Sequence, residues 1–186
     1  MTNPSVTALL ACASLLAPAA VAAQAPPPAP AASAAAAGAV DDATQKALTS
    51  NYALQCTAAF NPTDANLDAG FAVLAPGFVN IDPTGRQTGR DEVVGVAKQQ
   101  MKMLKAKSCD HTLESFTATD PSTIVVVNTL HVAGDMTAPD GTHALDVTDR
   151  SQDTWKSIGG KWQETQSKDL HVVVKIDGNI VQDAGS

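Results

Sequence analysis

The sequence predicts an α+β fold: three N-terminal helices packed on one face of a curved, mostly antiparallel sheet. Two observations predict it. Apolar residues recur at helical spacing from Asp41 into the Lys105–Lys107 region, and from Ser108 onward the period changes to two. A block of helices followed by a meander of long strands is an α+β plan. A third observation places the start. Residues 1–40 contain no Asp, Glu, Lys or Arg, so every charge lies at or after Asp41. That leaves about 146 of the 186 residues, one domain's worth.

The first helix is expected over 41–60, where Leu48, Tyr52, Cys56 and Phe60 recur every fourth residue. Asn61-Pro62 stops it. Thr63 can cap a second short helix with Leu67, Phe71 and Leu74 inward, ended by Pro76-Gly77. Phe78 to Ile81 is a short strand, and Asp82-Pro83-Thr84-Gly85 suits a type I turn. A third helix opens with the capping-box pattern Thr88-Gly89-Arg90-Asp91 and buries Val93, Val96, Ala97, Met101 and Leu104. Four strands follow, at about 108–118, 122–133, 142–157 and 161–176. Asp120-Pro121, Pro139-Asp140-Gly141 and Gly159-Gly160 separate them.

The two ends of the composition carry their own expectations. Val6 to Ala23 is apolar and closes on Ala20-Val21-Ala22-Ala23-Gln24, which suits a cleaved signal peptide over 1–23. The Ala- and Pro-rich stretch 24–40 reads as a disordered linker. The mature chain is then periplasmic or secreted, and not membrane-bound after processing. Cys12 leaves with the leader, so Cys56 and Cys109 remain. In an oxidising compartment they can form a disulfide or stay as two buried thiols. A net charge of −7 with scattered Lys and Arg argues against a nucleic-acid partner.

The strand over 142–157 carries the chemistry. Its odd positions hold His143, Leu145, Val147, Asp149, Ser151, Asp153 and Trp155, the more apolar set, so this face should meet the helices. Asp149 and Asp153 are thereby placed on the inward face, or on a wet middle of it if the strand outruns the helices. A buried carboxyl must be hydrogen-bonded, paired or held neutral, and such groups gather at functional sites. His111, His131, His143 and His171 lie on different strands without metal-ligand spacing, so no metal is expected. No phosphate-cradling glycine loop is present, and no cofactor is implied.

Arg150-Ser-Gln-Asp153-Thr-Trp155, then Gly159-Gly160-Lys161-Trp162-Gln163, resembles the hairpin of the nuclear transport factor 2-like superfamily. It is similar in particular to that of small bacterial SnoaL-like members. Phe78 to Gly85, followed by Thr88-Gly89-Arg90-Asp91, resembles the first strand, turn and third-helix start of the same group. The resemblance covers about Asp41 to Val174. It implies a strongly curved, cystatin-like cone, with a pocket lined by Phe78, Leu145, Val147, Asp153 and Trp155. It also implies a possible homodimer through the open face of the sheet. Within the superfamily, ketosteroid isomerases carry a base in Asp-Pro-x-Gly, a Tyr on the first helix, and a neutral Asp in Ala-Leu-Asp-Val-x-Asp. Here those motifs match Asp82, Tyr52 and Asp149. Three functions follow as expectations. The first is an exported protein that binds a small, largely apolar molecule. The second is a cofactor-free isomerase, lyase or cyclase using Asp82, Asp149 and Tyr52. The third is a dimerising interaction module without a ligand.

Overall fold

The structure, a computed structural model, describes residues 38–185. The leader and nearly all of the linker expected from sequence lie outside the described residues. The folded part takes in Gly38, which bridges Ala118, and Val40, which is buried in the core.

Helix α1 spans Asp42–Phe60, with the Asp41 side chain accepting from Thr44 N at 2.8 Å as its N-cap. The four-residue spacing buries Leu48, Tyr52 and Cys56, but Phe60 is 53 % exposed and ends the stripe at the surface. Helix α2 (Asp64–Phe71) is capped by Thr63 and buries Leu67 and Phe71. Strand β1 (Leu74–Ile81) begins earlier than Pro76-Gly77 suggested. Pro76 is accommodated because the pairing with β6 is interrupted between Leu74 and Val79.

After the short strand β2 (Gln87–Gly89), helix α3 spans Arg90–Met103. Its N-cap is Gly89, with no side-chain cap, so the expected capping box is not formed. Lys105 and Lys107, expected at this helix's end, stand instead on strand β3. Arg90 reaches back to the chain between α2 and β1. Its Nε donates to Leu74 O at 3.2 Å and its Nη2 to Phe71 O at 3.3 Å.

Strands β3 (Leu104–Asp120), β4 (Thr123–Ala138), β5 (Gly141–Ile158) and β6 (Lys161–Ile176) form the antiparallel meander expected from the alternation; β4 starts one residue later than predicted, and every other end is reached or overrun. Strand β7 (Asn179–Gly185) adds to β6. The seven described strands make one sheet in the order β2-β1-β6-β5-β4-β3, with β7 beside β6; the β1–β6 pairing is parallel.

The strongly curved cone expected from the resemblance is corrected here: the sheet is mixed and mostly antiparallel, and it does not curl strongly. Its path is open, with β2 at one end and β3 at the other. Closing a sheet on itself takes repeated bulges carried from ladder to ladder. The central β4–β5 ladder runs from Thr123↔Lys156 to Ala138↔Gly141 without any shift of register. Bulges fall on the neighbouring ladders, as between Ala106 and Ser108 on β3. Gly134 faces that irregularity, and a Cβ there would stand 2.4 Å from Lys105 O, so only glycine fits.

The helices and the inward face of the sheet meet around Leu48, Leu67, Phe71, Phe78, Val126 and Trp155. Val93, Val94, Ala97 and Met101 of α3 are half-buried against that cluster. The odd positions of β5 do face inward where helix covers them: Ser151, Asp153 and Trp155 are buried.

Candidate functional site

The site forms where Tyr52 and Gln55 of α1 meet inward residues of β3, β4, β5 and β6. A polar chamber of about 90 Å3 is lined there by Tyr52 and Gln55 of α1, His111 of β3, and Asn128 and Leu130 of β4. Asp149, Ser151 and Asp153 of β5 and Glu164 and Ser167 of β6 complete it. Beside it lies a more apolar groove of about 290 Å3 between α1 and β3. Ala53, Cys56, Phe60, Cys109 and Leu113 contribute its apolar walls, and Tyr52 and His111 belong to both hollows. Cys56 and Cys109 form a disulfide at this wall, which settles the alternative left open by the sequence.

Asp153 is the hub. Its carboxylate accepts from Tyr52 Oη at 2.6 Å and from Ser167 Oγ at 2.7 Å. The nearby side chains of Ser151 and Asn128 also favour its charged form. Burial raises its pKa even so; the two hydroxyl donors and the polar neighbours offset that without reversing it. Trp155 Nε1 donates to Tyr52 Oη at 3.0 Å, and the two rings meet edge to face with centroids 5.3 Å apart. Burial, and then the nearby Asp153 charge, pushes the Tyr52 phenol well above its ordinary value, so it is a neutral donor.

His111 lies against Tyr52, with ring centroids 4.9 Å apart. Its Nδ1 sits 3.1 Å from Asn128 Oδ1. An amide oxygen can only accept, so with Oδ1 facing the ring it is His111 Nδ1 that donates. That assigns the proton to Nδ1 and leaves Nε2 as a bare acceptor. Burial lowers the His111 pKa, which keeps the ring neutral. Nε2 is sealed from solvent and has no hydrogen-bond partner among the described residues.

Asp149 is partly covered as a residue, yet its Oδ1 is also sealed and without a partner among the described residues. Burial, followed by the charges of Asp169 and Asp153, raises its pKa well above the carboxylate range. Glu164 is raised likewise by burial and then by Asp153 and Asp169. Asp169, next to Asn80, is pushed up to about 6, chiefly by burial. Several acids therefore share one interior, and none of the chamber's lining residues is Lys or Arg.

Of the residues singled out from sequence, the fold brings Tyr52, Asp149 and Asp153 to the chamber. Trp155 stands behind Tyr52 in the core, and Phe78 is core as well. Leu145 and Val147 are half-buried farther along β5, opposite Ile176 and Val174, and do not line the chamber. Asp82 does not line it either. Its Oδ1 accepts from Thr84 N at 2.8 Å, Thr84 Oγ1 at 2.6 Å and Arg86 N at 3.0 Å. Burial works against its charge, but these donors prevail and hold its pKa below the ordinary value. His111, Asn128 and Glu164 were not singled out for the site. A polar run on inward positions of adjacent strands was the available signal, but it appears only once the strands are in register. Among the described residues no group of three His, Cys, Asp or Glu could hold a metal ion. No described helix is long and apolar enough to cross a membrane.

By sequence, no known family and no curated protein matches the chain. Solved structures do. A conserved protein from Planctomyces limnophilus superposes with a TM-score of 0.60 at 15 % identity, covering 73 % of this chain and 100 % of its own. An NTF2-like protein from Cytophaga hutchinsonii matches with a TM-score of 0.52 at 16 % identity, covering 67 % of this chain and 95 % of its own. A ketosteroid isomerase-like protein from Erwinia carotovora atroseptica matches with a TM-score of 0.51 at 14 % identity, covering 70 % and 98 %. At these identities the likeness is one of fold: the chain has the nuclear transport factor 2-like fold.

Proposed function

We propose that the protein binds a small, largely apolar molecule whose one polar end enters the carboxyl chamber. The observation that carries this is the pair of adjoining hollows, one apolar and one polar, which share Tyr52 and His111. Sealed acceptors without partners are costly in a folded interior, at roughly 1–3 kcal/mol each. A ligand that satisfied His111 Nε2 and Asp149 Oδ1 would recover that cost. Membership of the superfamily, in or near its SnoaL-like branch, belongs to the same proposal. So does export, which the Cys56–Cys109 disulfide supports, since such bonds persist in oxidising compartments.

A second reading has its own observation in favour. A bare imidazole nitrogen and a carboxyl held protonated are a base and an acid with pKa values pushed apart, the arrangement that proton-transfer enzymes use. In that reading Asp149 and His111 exchange protons with the substrate, Tyr52 and Asp153 hold the frame, and Asp82 serves its turn. The superfamily-like alternative with Asp82 as base needs that carboxylate to leave its three donors.

The test is a thermal-shift series with bicyclic ketones, phenols and amines, repeated on a Phe60→Asp variant that makes the groove wall charged. Binding predicts a rise in Tm with some member, abolished in the variant. No rise across the series sinks the binding reading. For the enzyme reading, turnover of a bound ketone or alcohol must disappear in both Asp149→Asn and His111→Phe while the fold persists.

A further inference from the structure

Counting donors and acceptors around the chamber narrows the chemistry of its ligand. Tyr52 Oη and Ser167 Oγ donate to Asp153. His111 uses its N–H on Asn128 Oδ1. The Tyr52, Ser167 and His111 donors are thus engaged, and the buried atoms of the lining left without a partner among the described residues are His111 Nε2 and Asp149 Oδ1. Asp149, Asp153 and Glu164 put three carboxyls on one wall, with no Lys or Arg beside them in the lining.

Resting on the reading that this chamber is a ligand site, we infer that its ligand is a primary amine, bound as the ammonium ion, with its apolar part along the α1–β3 groove. The ammonium brings three donors and no acceptor. Two of them answer the two open acceptors, and its charge answers the carboxyls. A hydroxyl brings one donor and leaves the second of the two acceptors unanswered. A carboxylate brings no donor and adds a like charge, which is repelled in a site of low dielectric. The chamber's size agrees: about 90 Å3 has room for an ammonium head and its first carbons.

Binding should move a proton. Asp149 is faced by Asp153 on its own strand, Glu164 and Asp169 on β6, His111 on β3 and Tyr52 on α1. Negative neighbours and burial favour its protonated form. A cation placed against it favours the ionised form, so the arriving ammonium displaces the proton to solvent. Its O–H bond breaks, the electron pair stays on the carboxylate, and the proton leaves to buffer.

Calorimetric titration of the whole chain at pH 6.5 with 2-phenylethylamine, 2-phenylethanol and 3-phenylpropanoate decides it, run in two buffers of different ionisation enthalpy. The expected result is at least tenfold tighter binding of the amine than of the alcohol, no binding of the carboxylate, and release of a proton with the amine. In Asp149→Asn, which keeps the shape of the side chain, both the proton release and the tenfold preference should vanish. If the alcohol or the carboxylate binds as tightly as the amine, the amine inference is overturned while the ligand-site reading stands. The same holds if amine binding and its proton release are unchanged in Asp149→Asn. If none of the three binds, the amine inference falls, and the thermal-shift series decides the broader reading separately.

Discussion

The turn at Asp82 and the chamber at Asp149 treat the same functional group in opposite ways. Both carboxyls belong to the inner part of the fold, and burial acts against the charge of each. Asp82 is met by three donors on one oxygen, two of them backbone N–H groups of its own turn. Asp149 has an oxygen with none and carboxyls for neighbours. The first is a settled carboxylate that shapes the chain. The second is a protonated acid whose needs the fold does not meet. A carboxyl's role is therefore decided by the donors within reach, not by the motif that surrounds it. Asp153 marks the boundary between the two cases, with two hydroxyl donors but deep burial.

The comparison is broken most severely by removing what holds the chamber alone. The Cys56–Cys109 bond ties α1, which carries Tyr52, to β3, which carries His111. It closes a loop with a sequence separation of 53 residues. In the chain-entropy model that contributes roughly 4 kcal/mol. A Cys56→Ala/Cys109→Ala variant should lose about that much in urea unfolding. Ligand binding should weaken with it, while the Asp82 turn is untouched. Next comes Asp153→Ala, which strands the Tyr52 and Ser167 hydroxyls in the interior. Roughly 3 kcal/mol or more should be lost, read from the same unfolding curves. Asp82→Ala should cost less, roughly 1–2 kcal/mol, because its donors sit in a turn where water can replace the carboxylate. If Asp82→Ala cost more than Asp153→Ala, the assignment of turn and hub would be reversed.

The three helices, the four long strands and the inward face of β5 were legible because each is a local period. So was Tyr52 as an inward residue of α1, and Asp153 beside Trp155. What could not be read is set by register. Asn128 meets His111 and Asp153 because β4 pairs Leu113 with Asn128 on one side and Asn128 with Ser151 on the other. No pattern within a single strand specifies that. The degree of sheet curvature failed for a related reason, since it depends on where bulges fall across ladders. Asp82 misled because Asp-Pro-Thr-Gly is equally a turn and a motif. Gly85 adopts φ of 88° to close that turn, and its N–H reaches Asp82 O at 2.9 Å.

The smallest expected effect is also the most direct reading of the contrast: the pH dependence of stability between about pH 4 and 8. Unfolded, the chamber acids titrate near 4. Folded, Asp149, Glu164, Asp153 and Asp169 hold their protons to higher pH, Asp169 to about 6. Over that interval the folded chain binds more protons than the unfolded one, so stability falls as pH rises. His143, raised by its bonds to Asp177 and Asp140, adds in the same direction as pH climbs past the ordinary histidine value. His111 opposes them: being lowered by burial, it favours folding less as pH falls below about 6.5. Asp82 acts elsewhere, because its lowered pKa contributes stability that is present above about 4 and lost as pH falls below it. The acids outnumber His111, so Tm should be higher at pH 5 than at pH 7.5 by a few degrees, taking about 2–4 °C per kcal/mol for a chain of this size. Asp149→Asn and Glu164→Gln should each flatten that slope, and Asp82→Asn should leave it unchanged while weakening the fold at both pH values. A slope of the opposite sign, or one that Asp82→Asn removes, would mean that the chamber acids are ionised and paired like the turn.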